Sequence, residues 1–155
     1  VDDAQMKTVM GYIEAGKAGG AKLLAGGEAV RLDSGGYYVA PTLFDQVDNG
    51  MRIAQEEIFG PVLSVLTFTD VNEAVRQANA TPYGLAAAVW TSDISKAIKV
   101  SRALRAGTVH VNQYDNDDIT VPFGGVKQSG NGRDKSLHAF DKYTEMKATW
   151  INLEG

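Results

Sequence analysis

The sequence predicts an α/β protein built on parallel strands, and three observations carry the prediction. Val62–Phe68, Leu85–Trp90 and Thr108–Val111 are short apolar runs with β-branched residues, the pattern of buried strands. Between them lie two stretches of helical period, each opened by a capping residue. Thr69 or Asp70 precedes Val71, Ala74, Val75 and Ala78, and Ser92 or Asp93 precedes Ile94, Ala97, Ile98 and Leu104. The connections are short. Together these imply a parallel βαβαβ core in a three-layer α/β/α arrangement, because parallel strands need crossovers that cover the sheet.

The flanking segments follow in order. Asp2 and Asp3 suit a helix start, and Met6, Val9, Met10 and Ile13 then repeat at helical spacing. Gly16, Gly19 and Gly20 read as the end of that helix. Residues 21–25 form a short strand, and residues 28–36 a polar, glycine-containing loop. An extended segment from Tyr37 to Val47 is interrupted at Pro41, which confines it to an edge or a broken strand. Asp48-Asn49-Gly50 is a turn, and Met51 to Gln55 makes one helical turn. Residues 113–133 make a loop too long to be a plain connection. It begins at the carboxyl end of the third strand, where open parallel sheets bind ligands. Residues 134–142 suit a helix. Residues 143–153 alternate in the manner of a strand, and such a strand needs a sheet edge to pair with.

Composition narrows the function. The chain has 155 residues, enough to bury a sizeable core in one domain. A net charge of −4 and a pI near 5.1 leave no basic face for nucleic acid. No apolar run reaches membrane-spanning length, and the acidic N-terminus is unlike a secretory leader, so the chain reads as cytoplasmic. Cysteine is absent, which excludes a thiolate nucleophile or thiolate metal site within these residues. Two histidines are too few for a zinc site; His110 reads as a packed strand residue and His138 as part of a helix.

Three features bear on chemistry. Glu56-Glu57-Ile58-Phe59-Gly60-Pro61 places two carboxylates and an aromatic just before a buried strand. Asp115, Asp117 and Asp118 cluster in the long loop, either as a solvated tip or as an acidic mouth that attracts a cationic substrate. Gly124-Gly125 and Gly130-Asn131-Gly132, with Lys127 and Arg133, are glycine-rich but fit neither the Walker nor the Rossmann spacing. A glycine-shaped turn beside a site is favoured over a phosphate cradle. No complete catalytic set is present.

Several of these stretches, in this order, resemble the C-terminal part of the aldehyde dehydrogenase superfamily. They are Glu56–Pro61, Tyr83-Gly84-Leu85, Ala106-Gly107-Thr108-Val109 with Val111-Asn112, and Pro122-Phe123-Gly124-Gly125 with Lys127, Ser129-Gly130 and Gly132-Arg133. The likeness covers essentially the whole chain. Residues 128–139 further resemble the branch that oxidises γ-glutamyl-γ-aminobutyraldehyde and related aminoaldehydes.

The resemblance implies a cysteine thiolate that attacks the aldehyde, hydride transfer to NAD or NADP, and hydrolysis of the thioester by water that a glutamate activates. It places the cysteine, that glutamate and most of the dinucleotide-binding domain outside this chain, which alone is expected to be inactive. Glu57 is similar to the glutamate that accepts hydrogen bonds from the nicotinamide ribose, and Phe59 to the aromatic that packs near the nicotinamide. Phe123 resembles a wall of the aldehyde pocket, Asn112 the start of the substrate-side loop, and Asp115 and Asp117 residues at its mouth. Asp117 departs from the glycine of the aminoaldehyde branch. Residues 1–133 correspond to the catalytic-domain portion and 134–155 to a C-terminal helix and oligomerisation strand. Residues 143–153 would extend a neighbour's sheet in a homo-oligomer. The alternative from the residues alone is a non-catalytic interaction module that docks by its tail strand.

Overall fold

Asp2 caps the first helix, α1 (Asp3–Ala18), by accepting a hydrogen bond from the Gln5 amide, and the apolar spacing then turns one face inward. The computed structural model describes residues 2–114 and 118–155, and the chain divides into two units, Val1–Thr81 and Pro82–Gly155.

In the first unit α1 is followed by β1 (Lys22–Ala25), the short strands β2 (Ala29–Val30) and β3 (Tyr38–Val39), β4 (Thr42–Asp45), the single turn α2 (Arg52–Gln55), β5 (Val62–Ser64) and α3 (Val71–Asn79). β4 is the centre of a three-stranded sheet, antiparallel to β1 and parallel to β5, with Thr42 opposite Val62 and Phe44 opposite Ser64. β2, inside the segment expected to be loop, pairs antiparallel with β3, which lies in the segment expected to be extended. The core joins α1 to the sheet through Val9, Tyr12, Ile13, Ala21, Phe44, Val47, Ile53 and Ile58. Phe44 and Ile13 are fully enclosed, and burying a side chain of that size contributes about 1.5–3 kcal/mol. Gly16 is buried inside α1 instead of marking its end, which falls at Gly19.

In the second unit β6 (Ala86–Val89), α4 (Ile94–Ala103) and β7 (Thr108–Val111) form a strand–helix–strand crossover with parallel pairing, Ala86 opposite Thr108 and Val89 opposite Val111. The chain then makes 3-10 turns at Lys127–Ser129 and Leu137–Lys142, the second in place of the expected helix.

The α/β class and parallel pairing agree with expectation, and four details differ. The strand expected over Val62–Phe68 is regular only to Ser64: Gln46 takes φ 55°, and past it the pairing is irregular, with Val65 donating to Phe44 O and accepting from Val47 N. The parallel pairs are divided between sheets, β5 with β4 and β6 with β7. α4 turns inward through Ala97, Val100, Ser101 and Leu104, which leaves Ile94 and Ile98 exposed. Finally, residues 143–153 form no strand. The segment finds no edge to pair with in this chain, and an unpaired strand leaves its backbone groups to water. Met146, Trp150 and Leu153 are fully exposed there. Among the described residues no helix is long and apolar enough to cross a membrane.

Candidate functional site

α1 carries the loop 56–60 on one face. Gln5, Val9 and Tyr12 recur at i, i+4 and i+7 and so point the same way. Gln5 Nε2 donates to the carbonyl oxygens of Ile58 at 3.3 Å and Phe59 at 3.1 Å. Val9 packs against Gly60, where a Cβ would lie 2.5 Å from Val9 Cγ2, so only glycine permits this approach. The Tyr12 hydroxyl donates to Glu56 Oε2 at 2.8 Å. Ile58 sinks into the core between these points.

The two neighbouring carboxylates therefore differ. Glu56 also accepts from Arg52 Nε at 2.8 Å, and the Arg52 guanidinium lies 4.3 Å from the Tyr12 ring centroid. The Arg52 hydrogen bond, then that of Tyr12, holds the Glu56 carboxyl below the ordinary carboxylate range. The same contact raises the Tyr12 hydroxyl. Glu57 is exposed, and among the described residues nothing pairs with its carboxylate. Two residues on, Phe59 is 75% exposed with φ of 53°. Left-handed backbone costs a non-glycine residue about 1–2 kcal/mol. A strained backbone that presents a bare ring beside an unpaired carboxylate is an arrangement suited to a ligand. An acceptor-only carboxylate matches a diol, and a ring face matches a planar aromatic group.

The second unit holds Asn112 and Phe123. Asn112 also has left-handed backbone, at φ 55°. Its amide copies a strand: Oδ1 accepts from Thr91 N at 2.8 Å, and Nδ2 donates to Thr91 O at 3.0 Å. Its own N–H bonds Val89 O at 2.9 Å, so Asn112 extends the β6–β7 pairing by side chain and fixes the start of the loop. Phe123 is half-buried and exchanges two backbone hydrogen bonds with Asp134, at 2.8 and 2.7 Å. Lys135 Nζ lies 5.4 Å from its ring centroid, and Lys142 pairs with Asp134. The expectations for Asp115 and Asp117 lie outside the described residues.

The glycine-rich segment makes a backbone knot. A Cβ on Gly107 would meet Gly124 O at 1.7 Å, and one on Gly124 would meet Gly132 O at 2.1 Å. Arg133 Nη1 donates to the carbonyls of Gly125 at 2.6 Å, Gly132 at 2.9 Å and Asn131 at 3.2 Å. The glycines thus allow chains to touch, as the turn reading requires. His110 is buried on β7 as expected, its ring 5.8 Å from that of Tyr114. His138 is exposed, with Nδ1 3.1 Å from Asp141.

Glu57 and Phe59 lie together in the first unit, and Asn112 and Phe123 bracket one loop in the second. Sequence reasoning did not identify Gln5, Tyr12 and Arg52. The helical spacing of Gln5, Val9 and Tyr12 was available. Nothing local linked Tyr12 to Glu56, 44 residues on.

Comparison with known proteins is consistent with this geometry. The model of the aldehyde dehydrogenase family matches residues 1–149. The NADP/NAD-dependent aldehyde dehydrogenase PuuC of Escherichia coli is 50% identical over 154 residues, 99% of this chain and 30% of that protein. A solved indole-3-acetaldehyde dehydrogenase of P. syringae, in complex with NAD+ and IAA, superposes with a TM-score of 0.95 at 68% identity, over 98% of this chain and 31% of that one. A γ-glutamyl-γ-aminobutyraldehyde dehydrogenase of Burkholderia cenocepacia gives 0.93 at 61% identity, over 99% and 31%. The chain therefore spans about 30% of the length of the curated relatives it matches.

Proposed function

The chain belongs to the aldehyde dehydrogenase family, and we propose that it is the C-terminal portion of an NAD(P)+-dependent enzyme that oxidises an aldehyde to its carboxylate. The observation that carries this reading is the loop 56–60, pinned by α1 while the side chains of Glu57 and Phe59 stay unengaged. Those two residues fit a nicotinamide riboside: Glu57 would accept from the ribose hydroxyls, and Phe59 would hold the nicotinamide at its face. Bound there, the cofactor would supply the hydride acceptor for the substrate carbon. Glu57 would orient the sugar, Phe59 would shield that face from water, and Phe123 would wall the aldehyde. Asn112 fixes the start of the loop that carries Asp115 and Asp117. In this reading the two acids would favour a cationic substrate such as an aminoaldehyde, in keeping with the name of the Burkholderia cenocepacia relative.

The nucleophilic cysteine and the base glutamate would come from the rest of the parent protein, so these 155 residues alone turn nothing over. A cysteine thiolate nucleophile also suits a reducing, cytoplasmic setting. Residues 1–133 supply the catalytic-domain portion. The exposed tail, residues 143–153, pairs with a neighbouring subunit's sheet in a homo-oligomer. Its unpaired backbone and bare Trp150 and Leu153 favour that assignment, and they also favour a second reading, a non-catalytic docking module.

Assay of the full-length parent against a panel of aldehydes with NAD+ and with NADP+ tests the first reading. Aldehyde-dependent reduction of either nucleotide is the expected result. Absence of turnover in a parent whose tail still drives association would leave the docking reading in its place.

A further inference from the structure

The pair Tyr12 and Arg52 takes no part in the cofactor contacts proposed above, yet both side chains close on the residue immediately before Glu57. Tyr12 comes from α1 and is 9% exposed; Arg52 comes from α2 and is largely exposed. An isolated exposed Arg52–Glu56 pair would contribute little. Here the guanidinium also stacks on the Tyr12 ring, and the Tyr12 hydroxyl bonds the same Glu56 oxygen that Arg52 Nε reaches. Two hydrogen bonds closing on one carboxylate, with their donors in contact with each other, couple two helices at one point.

Glu56 is the residue at which α2 ends and the backbone becomes extended, with φ −113° and ψ 152°. An untethered helix end frays. Fraying at Glu56 would propagate directly to Glu57, whose own side chain has no tether. Downstream, Gln5 holds the Ile58 and Phe59 carbonyls. Glu57 thus sits between two anchors, one on its N-terminal side through Glu56 and one on its C-terminal side through Gln5.

We propose that Tyr12 and Arg52 are positioning residues that act through Glu56, a latch that fixes the direction in which the chain presents the Glu57 carboxylate to the nicotinamide ribose. The role rests on the cofactor reading of Glu57. The latch itself, as a constraint on the backbone, does not. Its value for binding is preorganisation: a carboxylate already aimed loses less freedom when a diol arrives.

The test uses the full-length enzyme with Tyr12→Phe, which removes one hydroxyl and keeps the ring, and with Arg52→Lys, which keeps the charge and loses the planar stack. Two quantities are read: amide hydrogen exchange at Glu57 and Ile58, and KM for the nicotinamide nucleotide beside KM for the aldehyde. Each variant is expected to speed exchange and to raise the nucleotide KM about threefold to tenfold, the range of one net hydrogen bond, with the aldehyde KM unchanged. Unchanged exchange in both variants overturns the latch. Faster exchange with equal rises in both KM values also overturns it, because that is general loosening of the fold. Glu57→Gln measured alongside separates the two claims. If that substitution leaves the nucleotide KM untouched the cofactor reading fails, while the exchange data still decide whether the latch exists.

Discussion

The two units hold their loops by opposite means. In the first, side chains do the holding. Phe44, Ile13 and Ile53 build a core beneath α1, and Gln5, Val9 and Tyr12 grip the loop 56–60 from above it. In the second, backbone groups are what is held. Ala97 and His110 are the buried non-glycine residues among those described, the segment around Phe123 is fixed by glycines in contact and by carbonyls around Arg133, and the Asn112 amide imitates a strand against Thr91. The difference shows that a segment can be held without a large local core, provided that backbone groups find partners and no Cβ stands between them.

This comparison can be broken by substitution, and the largest effect is expected in the first unit. Phe44→Ala empties the centre of its core and should cost about 3–5 kcal/mol, read as faster amide exchange through α1 and β4. A loss under 1 kcal/mol would mean that the core is not what holds this unit. In the second unit the corresponding change adds an atom. Gly107→Ala drives a Cβ into Gly124 O, a backbone atom with nowhere to go, and should cost about 1–3 kcal/mol or more through overpacking. Unchanged exchange at Val126 and Phe123 would show that the knot is loose.

Smaller and equal effects should follow where the two units use the same device. Asp70 caps α3 and Asp93 caps α4, each accepting from two amides, so Asp70→Ala and Asp93→Ala should each cost about 1 kcal/mol in helix stability by circular dichroism or exchange. Unequal costs would show that core packing rather than capping sets the helix ends. The smallest effect is one of pH. The folded Glu56 carboxyl is held below the ordinary glutamate value by its Arg52 and Tyr12 hydrogen bonds. The stability it contributes is therefore fully present above that value and is lost as pH falls through the lower, folded one. Exchange at Glu57 should accelerate in that acid window, and in Tyr12→Phe the acceleration should begin at higher pH.

Much of this was legible in the residues. β7 has the bounds its sequence implied, α3 and α4 begin where Asp70 and Asp93 cap them, and Pro41 divides β3 from β4 as its missing amide requires. Local periodicity and capping chemistry suffice for such features. What escaped depends on partners far along the chain. Sheet membership of β5 is decided by β4, the inward face of α4 keeps the expected Ala97 and Leu104 but leaves out Ile94 and Ile98, and the alternating tail lacks an edge. For the site, the motif order pointed to Glu57, Phe59, Asn112 and Phe123. The latch on Glu56 spans 44 residues and was invisible to any window.

The central claim is that Glu57 holds a nicotinamide nucleotide and that the rest of loop 56–60 exists to aim it. Titration of the full-length enzyme and its Glu57→Gln variant with NAD+, followed by cofactor fluorescence or calorimetry, tests it most directly. Weakening of about tenfold, as expected for removing a charged acceptor from a bound diol, supports the account. Equal affinity in the two proteins would contradict it and remove Glu57 from the site.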